Sequence, residues 1–174
     1  GVGAGIIKTQ LVGDYNLPNV LAAVAVGRHF GVPDEMIKAA IEAYSTSTSR
    51  SQMVEKGTNK IILDAYNAKP SSMKLAIENF ARIHADKKVL LLGAMAELGE
   101  ESLAEHQSLI EMIQQYNWTH VALVGGDFLK IKHPFLSFPD AVAARQWLQQ
   151  QQLEHTQLLV KGSRSMKMET VLDH

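Results

Sequence analysis

Beyond residue 50, short apolar runs alternate with amphipathic stretches, and this alternation is the feature that most restricts the fold. The apolar runs predict strands at Lys88–Leu92, His120–Val124, Phe135–Ser137 and Gln157–Val160. The spacing of apolar residues predicts helices over 71–84, 101–116 and 139–151, a short helix near Phe128 and a terminal helix from Ser165. Apolar strands that alternate with helices are typical of a parallel sheet covered on both faces. We therefore expect an α/β, Rossmann-like domain with a mostly parallel sheet.

An antiparallel hairpin is expected at the start of this domain. The segments Gln52–Glu55 and Lys60–Leu63 have strand character and flank the polar stretch Lys56–Asn59. The stretch Gly57–Lys60 resembles part of a phosphate-binding loop, but no second glycine and no helix follow it. A hairpin turn is therefore the better interpretation.

The first 48 residues have a different pattern. A helix predicted over Leu17–Phe30 is apolar on nearly every face, and a second over Asp34–Tyr44 is amphipathic. The hydroxyl-rich stretch Ser45–Ser49 suits a linker. The second helix alone cannot bury a first helix that is apolar on nearly every face. We therefore expect residues 1–48 to be the end of a larger domain plus a linker, and residues 49–174 to form a separate domain.

Composition excludes several classes of function. The net charge is −1, which gives no electrostatic basis for binding nucleic acid. No apolar run approaches the ~20 residues that span a bilayer, so no membrane insertion is expected. The chain has no cysteine, and its seven histidines are scattered, so we expect a cytoplasmic protein without a metal site. For His106, on a predicted helix, a surface or capping role is the default expectation.

Polar residues follow several of the predicted strands, where open α/β sheets bind their ligands. The segments concerned are Asp64–Pro70, Gly93–Gly99, Gly125–Asp127 and Lys161–Arg164. The first combines an acid, an aromatic residue and an amide; the last places a lysine and an arginine where a predicted helix begins, which favours an anion. Each also has a plainer interpretation, as a strand-to-helix loop with local hydrogen bonds or as a solvated turn. From these residues alone both interpretations stay open.

Together these segments resemble the C-terminal part of a Mur ligase. The matching motifs are, in chain order, Gly13–Asn19 before an alanine-rich helix, Ser49–Gln52, Asp64–Met73, Leu92–Gly99 and Val160–Arg164. They run along essentially the whole chain. Within the family, the tyrosine–asparagine loop and the last two motifs favour the MurF type, which adds D-alanyl-D-alanine.

This resemblance implies an ATP-dependent ligase of bacterial peptidoglycan synthesis that also uses Mg²⁺. Such a ligase joins D-alanyl-D-alanine to a UDP-N-acetylmuramoyl tripeptide through an acyl phosphate. Residues 1–48 would then be the end of the central ATPase domain, and residues 49–174 the C-terminal domain of the family. The chain contains no complete ATP-binding P-loop. We therefore expect this part of a ligase to be inactive without the remaining domains.

The resemblance also assigns roles to individual residues. Asn16 and Asn19 correspond to positions near the adenine, and Arg50 and Asp64 to a catalytic pair that reaches the nucleotide when the domains close. The substrate-binding candidates are Tyr66, Asn67, Lys161, Ser163 and Arg164. The chain departs from the usual pattern at Tyr15, Lys69 and Ala94, where relatives more often carry histidine, asparagine and aspartate. The last change removes a carboxylate from the candidate site.

A second hypothesis treats the chain as a self-sufficient Rossmann-like module that binds an anionic small molecule or a partner protein without catalysis. The first helix separates the two hypotheses. A complete module should cover its apolar surface, whereas part of a ligase should leave that surface exposed.

Overall fold

A computed structural model describes residues 6–9, 17–44 and 51–173 of the chain. The chain divides into two compact units, Gly1–Ser47 and Thr48–His174. Three positions singled out from the sequence, Tyr15, Asn16 and Arg50, lie outside the described residues. The expectations for these three positions therefore stay predictions.

The first unit contains the two predicted helices, α1 (Leu17–His29) and α2 (Asp34–Ala43). They lie close together at Gly27, where a Cβ would be 2.7 Å from Cδ1 of Ile37, so a larger residue would require the Ile37 side chain to shift. Ile37 is buried in this contact. None of the residues of α1 is buried, and Leu21 is 59% exposed. Much of the apolar surface of α1 is therefore exposed.

The second unit is built on one six-stranded sheet. Its strands are β1 (Gln52–Lys56), β2 (Asn59–Asp64), β3 (Lys88–Gly93), β4 (His120–Val124), β5 (Leu136–Phe138) and β6 (Gln157–Lys161). Their spatial order is β1-β2-β6-β3-β4-β5, with β1 antiparallel to β2 and every other pair parallel. The helices are α3 (Pro70–Ala81), α4 (Ser102–Ile113) and α5 (Ala141–Gln151). The predicted fold class, a Rossmann-like α/β domain that begins with an antiparallel hairpin, is confirmed.

Successive strand residues point to opposite faces, so the sheet has a core on each side. On one face, Leu63, Leu91 and Val160 pack with α5 and with the last turns of the chain. On the other face, α3 and α4 pack against each other. These two helices bury Met73, Ile77, Phe80, Leu109 and Ile113. This double coverage explains why the central strands are apolar throughout.

The strand that comes last in the sequence, β6, lies in the middle of the sheet between β2 and β3. Lys161 of β6 pairs with Asp64 of β2 on one side and with Leu92 of β3 on the other. The parallel strands therefore end at one common edge. The loops after β2, β3, β4 and β6 all emerge there, and we call this edge the rim.

The predicted terminal helix from Ser165 is wrong. Two short 3-10 turns, Arg164–Met166 and Met168–Leu172, take its place and are separated by Lys167, whose φ is 48°. Met168 and Val171 are both buried. A 3-10 turn has three residues per turn, so it places this pair on one face, against the sheet. The left-handed conformation of Lys167 interrupts the segment, so one continuous helix does not form here.

The hairpin turn predicted at Lys56–Asn59 is confirmed, with Gly57 at φ 58°. The side chain of Asn59 donates to the carbonyl oxygen of Leu153 at 2.6 Å and accepts from the backbone N–H of Thr156 at 3.0 Å. The turn therefore holds the segment before β6 at the edge opposite the rim. In the part of the chain that the structure describes, no helix has the length and apolar character needed to cross a membrane.

Candidate functional site at the C-terminal edge of the sheet

Backbone hydrogen bonds join the rim loops to one another. The N–H of Gly162 donates to the carbonyl of Asp64 at 3.3 Å, and the N–H of Ser163 donates to the carbonyl of Ala94 at 3.2 Å. The N–H of Ala94 in turn donates to the carbonyl of Val124 at 2.9 Å. The loops after β2, β6, β3 and β4 thus form one continuous surface, and the four segments singled out from the sequence lie side by side.

A buried ion pair lies beneath this surface. Nζ of Lys161 donates to Oδ2 of Asp64 at 2.9 Å and to the backbone carbonyl of Asn67 at 3.0 Å. The Lys161 side chain is 2% exposed and that of Asp64 17%. The same Asp64 oxygen accepts from the hydroxyl of Ser51 at 3.1 Å. A buried ammonium needs a charged partner, so Lys161 fixes both the Asp64 carboxylate and the loop that follows it.

The ends of β3 and β6 approach each other more closely than side chains allow. A Cβ on Gly162 would lie 2.9 Å from Cα of Gly93 and 2.7 Å from Cγ of Met168. A Cβ on Gly93 would lie 2.7 Å from the same Met168 atom. Glycine at both positions therefore lets the two loops meet, with Met168 filling the space beneath them.

An aromatic–cation pair lies on the exposed side of the rim. The guanidinium carbon of Arg164 is 5.6 Å from the ring centroid of Tyr66, within the range of a cation–π contact. Arg164 is exposed and Tyr66 is half-buried. A guanidinium beside a ring can still donate its N–H groups to a carboxylate. The exposed Arg164 is therefore a cation available to an anionic ligand.

The structure brings six of the predicted site residues together. They are Asp64, Tyr66, Asn67, Lys161, Ser163 and Arg164. Asn67 is exposed, whereas Ser163 is 6% exposed and its hydroxyl lies 3.0 Å from that of Ser165. Asn19 belongs to the other unit, where it is exposed on α1.

Two of the departures from the family pattern also lie at the rim. Lys69 is exposed beside the start of α3, where its N–H donates to the hydroxyl of Ser72 at 3.1 Å. Ala94 is 2% exposed. A Cβ on Gly126 would lie 2.4 Å from Cβ of Ala94, so the loops after β3 and β4 are in close contact at this point.

The surface or capping role expected for His106 is wrong, because this residue is 0% exposed and lies inside α4 rather than at its end. Its Nε2 accepts from the backbone N–H of Met95 at 3.0 Å, and its Nδ1 lies 2.7 Å from the carbonyl oxygen of Ser102. The ring meets Phe128 edge-on, with 4.7 Å between centroids. The spacing of His106 with Leu109, Ile110 and Ile113 matches the buried face of α4, and this was the sequence signal for burial.

The loop after β4 carries an ionised carboxylate. Oδ1 of Asp127 lies 2.7 Å from Nζ of Lys130. The hydrogen bond from Lys130, followed by one from Ser102, lowers the pKa of Asp127 below its usual range. Within residues 6–9, 17–44 and 51–173 there is no group of three or more acidic or histidine side chains arranged for a metal ion.

Comparison with known proteins decides the family. Residues 49–164 match the family model described as "Mur ligase, glutamate ligase domain". The chain belongs to the Mur ligase family. A Mur ligase from Haemophilus influenzae is 33% identical over 95% of this chain, and one from Treponema pallidum is 31% identical over 94%. Both are named UDP-N-acetylmuramoyl-tripeptide–D-alanyl-D-alanine ligase.

Solved structures agree with this assignment. A crystal structure of MurF from Acinetobacter baumannii gives a TM-score of 0.79 at 28% identity and covers 95% of the chain. MurF from Thermotoga maritima in complex with ADP gives a TM-score of 0.74 at 27% identity over 93% of the chain. The chain spans only 38% of each of these proteins and 38% of the Haemophilus relative. This Mur ligase chain is therefore similar to a C-terminal portion of MurF ligases.

Proposed function

We propose that the chain is the C-terminal part of an ATP-dependent ligase that joins D-alanyl-D-alanine to a UDP-N-acetylmuramoyl tripeptide in bacterial peptidoglycan synthesis. The observation that carries this proposal is the length of the match. Ligases of that name from Haemophilus influenzae, Treponema pallidum and Bacillus subtilis are 30–33% identical over 93–95% of the chain. The UDP-linked tripeptide substrate supports a cytoplasmic location for the proposed reaction.

In this proposal residues 1–48 are the end of the central ATPase domain and residues 49–174 are the C-terminal domain. The chain spans 37–38% of those relatives, and none of the residues of α1 is buried. An apolar helix that is largely exposed in the described part of the chain favours part of a larger ligase over a self-sufficient binding module. The rest of the ligase would supply the ATP-binding P-loop, so this part by itself is inactive.

The reaction has two steps. The γ-phosphoryl group of ATP moves to the tripeptide carboxylate, which gives an acyl phosphate and ADP. The amine of D-alanyl-D-alanine then attacks the acyl carbon, so that the amide bond forms and phosphate leaves. The relative solved with ADP supports the use of ATP. Mg²⁺ fits poorly with the side chains described here, because Asp64 is already bonded to Lys161 and Ser51. The metal would be held elsewhere in the ligase.

On the nucleotide side we assign Arg50 to phosphate, Asp64 to a ribose hydroxyl, and Asn16 and Asn19 to the adenine. The hydroxyl of Ser51 donates to Asp64, so the residue next to Arg50 in sequence is attached to the rim. Arginine suits phosphate because its guanidinium is always charged and can bind two oxygens at once. Asp64 suits a hydroxyl donor, since its carboxylate is held in place and is still 17% exposed.

On the substrate side we assign Tyr66, Asn67, Ser163 and Arg164 to the acceptor dipeptide. The exposed guanidinium of Arg164, which lies beside the ring of Tyr66, is the group best suited to the free carboxylate of D-alanyl-D-alanine. Lys161 supports this substrate surface from beneath, through Asp64 and the carbonyl of Asn67, because its ammonium is buried. The dipeptide amine would then lie over the loop between β2 and α3.

The test is to join this chain to the upstream domains of a MurF relative and to measure D-alanyl-D-alanine-dependent phosphate release. We expect activity in the joined protein and none in the chain alone. Arg50→Ala should lower turnover strongly without unfolding the protein, because it removes the proposed phosphate contact. Arg82→Ala is the matched control, since Arg82 follows α3 at the edge opposite the rim. An inactive but folded joined protein, or equal rates for the two variants, would contradict the proposal.

A further inference from the structure

His106 is a buried titratable residue with no role in the reaction as described above. Its two ring nitrogens meet backbone groups of opposite character, the N–H of Met95 and the carbonyl of Ser102. A backbone N–H can only donate, and a carbonyl oxygen can only accept. Nε2 must therefore carry the lone pair and Nδ1 the proton. Its neighbours thus select a single neutral tautomer of His106.

The bond to Met95 attaches α4 to the rim. Met95 lies in the loop after β3, directly after Ala94, whose backbone is bonded to both neighbouring loops. The residues that follow, Ala96 and Glu97, are exposed, and Glu97 has a φ of 61°. An L-residue rarely adopts such a conformation unless the surrounding structure holds it there. The hydrogen bond that Met95 donates to His106 connects this loop to α4.

The geometry points to His106 as a positioning residue of the ligase. As the neutral Nδ1–H tautomer it fixes the loop after β3, which accepts a backbone hydrogen bond from Ser163 through Ala94 and so supports the neighbouring loop assigned to the acceptor dipeptide. The second half of this inference rests on the proposed function, whereas the first half can be tested on the chain itself. Phe128 provides a matched control, because its ring packs on His106 without making either hydrogen bond.

The first experiment uses NMR on the unmodified chain. Long-range ¹H–¹⁵N correlations of the imidazole should show Nδ1 protonated and Nε2 unprotonated at neutral pH. This measurement needs no variant, so it does not depend on any substitution folding. An Nε2–H tautomer in the wild-type chain would overturn the inference outright, because Nε2 could not then accept from Met95.

The second experiment compares amide hydrogen exchange in three variants. His106→Phe keeps a ring against Phe128 but cannot accept a hydrogen bond. In this variant the Met95 amide should exchange about tenfold faster than in wild type, whereas the amides of α4 should not change to the same extent. This is the effect expected for the loss of one buried hydrogen bond. His106→Gln should restore protection, since its side-chain oxygen can accept, and Phe128→Leu should leave Met95 protected. Unchanged Met95 exchange in His106→Phe would overturn the inference.

The third experiment measures the joined ligase described above. His106→Phe should raise KM for D-alanyl-D-alanine about tenfold with little change in kcat, again the scale of one lost hydrogen bond. Phe128→Leu should leave KM unchanged although it weakens the same core. Equal KM effects in the two variants would refute a positioning role and leave the proposed function intact. A wild-type ligase without D-alanyl-D-alanine-dependent activity would instead refute the proposed function, and the Met95 exchange would still decide the structural half.

Discussion

Replacing Lys161 with methionine tests how the rim is held together. Methionine fills a similar volume but removes the ammonium that donates to Asp64 and to the carbonyl of Asn67. Since Asp64 is only 17% exposed, its carboxylate would be left largely shielded from water, with the Ser51 hydroxyl as the partner shown here. We expect the free energy of unfolding to fall by about 3 kcal/mol, the lower end of the range for breaking a buried ion pair. The lower end applies because water can still reach part of Asp64.

A double-mutant cycle isolates the pair itself. Asp64→Asn removes the negative charge and leaves a buried ammonium, so it should also destabilise the second unit. Lys161→Met combined with Asp64→Asn removes both charges. The double variant should therefore be about 2 kcal/mol more stable than the sum of the two single effects predicts, within the range for residues in direct contact. The coupling arises because neither partner is then left charged and unpaired.

Equilibrium urea unfolding followed by tryptophan fluorescence is the appropriate assay. Both tryptophans, Trp118 and Trp147, lie in the second unit, so the signal reports the unit that contains the pair. Lys60→Met is the matched control, because Lys60 is exposed on β2 of the same sheet. If Lys161→Met is no more destabilising than Lys60→Met, or if the two single effects are additive, the buried pair does not hold the rim as described.

Three further predictions concern the rim. In the joined ligase, Arg164→Gln should reduce the preference for D-alanyl-D-alanine over D-alanyl-D-alaninol, which lacks the carboxylate, about tenfold or more; an unchanged preference in steady-state kinetics would rule out this contact. Gly162→Ala should cost about 1–3 kcal/mol in urea unfolding, because its Cβ would meet backbone atoms that cannot move aside. The hydrogen bond from Lys130 lowers the pKa of Asp127 in the folded protein. The Asp127 carboxylate therefore stabilises the fold at pH values above its unfolded pKa of about 4, and this contribution is lost as the pH falls through the folded pKa. Lys130→Ala should raise the pH midpoint of the Asp127 carboxyl in a ¹³C NMR titration. The variant should have a lower free energy of unfolding than wild type at neutral pH, and this difference should become smaller in acid. An unchanged midpoint would contradict the hydrogen bond from Lys130 as the cause.

Sequence patterns predicted the elements of the fold well where packing and local preference agree. The strands and the helices α1 to α5 lie where the apolar periodicity placed them, within a few residues at their ends. The pattern failed after Ser165, where the left-handed conformation of Lys167 interrupts the predicted helix and two 3-10 turns form instead. For His106 the spacing with Leu109 and Ile113 matched the buried face of α4, and it was a better guide than the polarity of the side chain. The apolar pattern therefore located the buried face of α4 but gave no sign of the interruption at Lys167.

The sequence by itself determined the alternation of strands and helices, the motifs at the strand ends and the resemblance to Mur ligases, because each of these is a local pattern. Only the tertiary structure decided which strand ends meet. The position of β6 between β2 and β3 brings Lys161 to Asp64, although 97 positions separate them in the chain. Sequence spacing carries no information about such a pairing. It depends on how the helices cross the sheet and bury both of its faces.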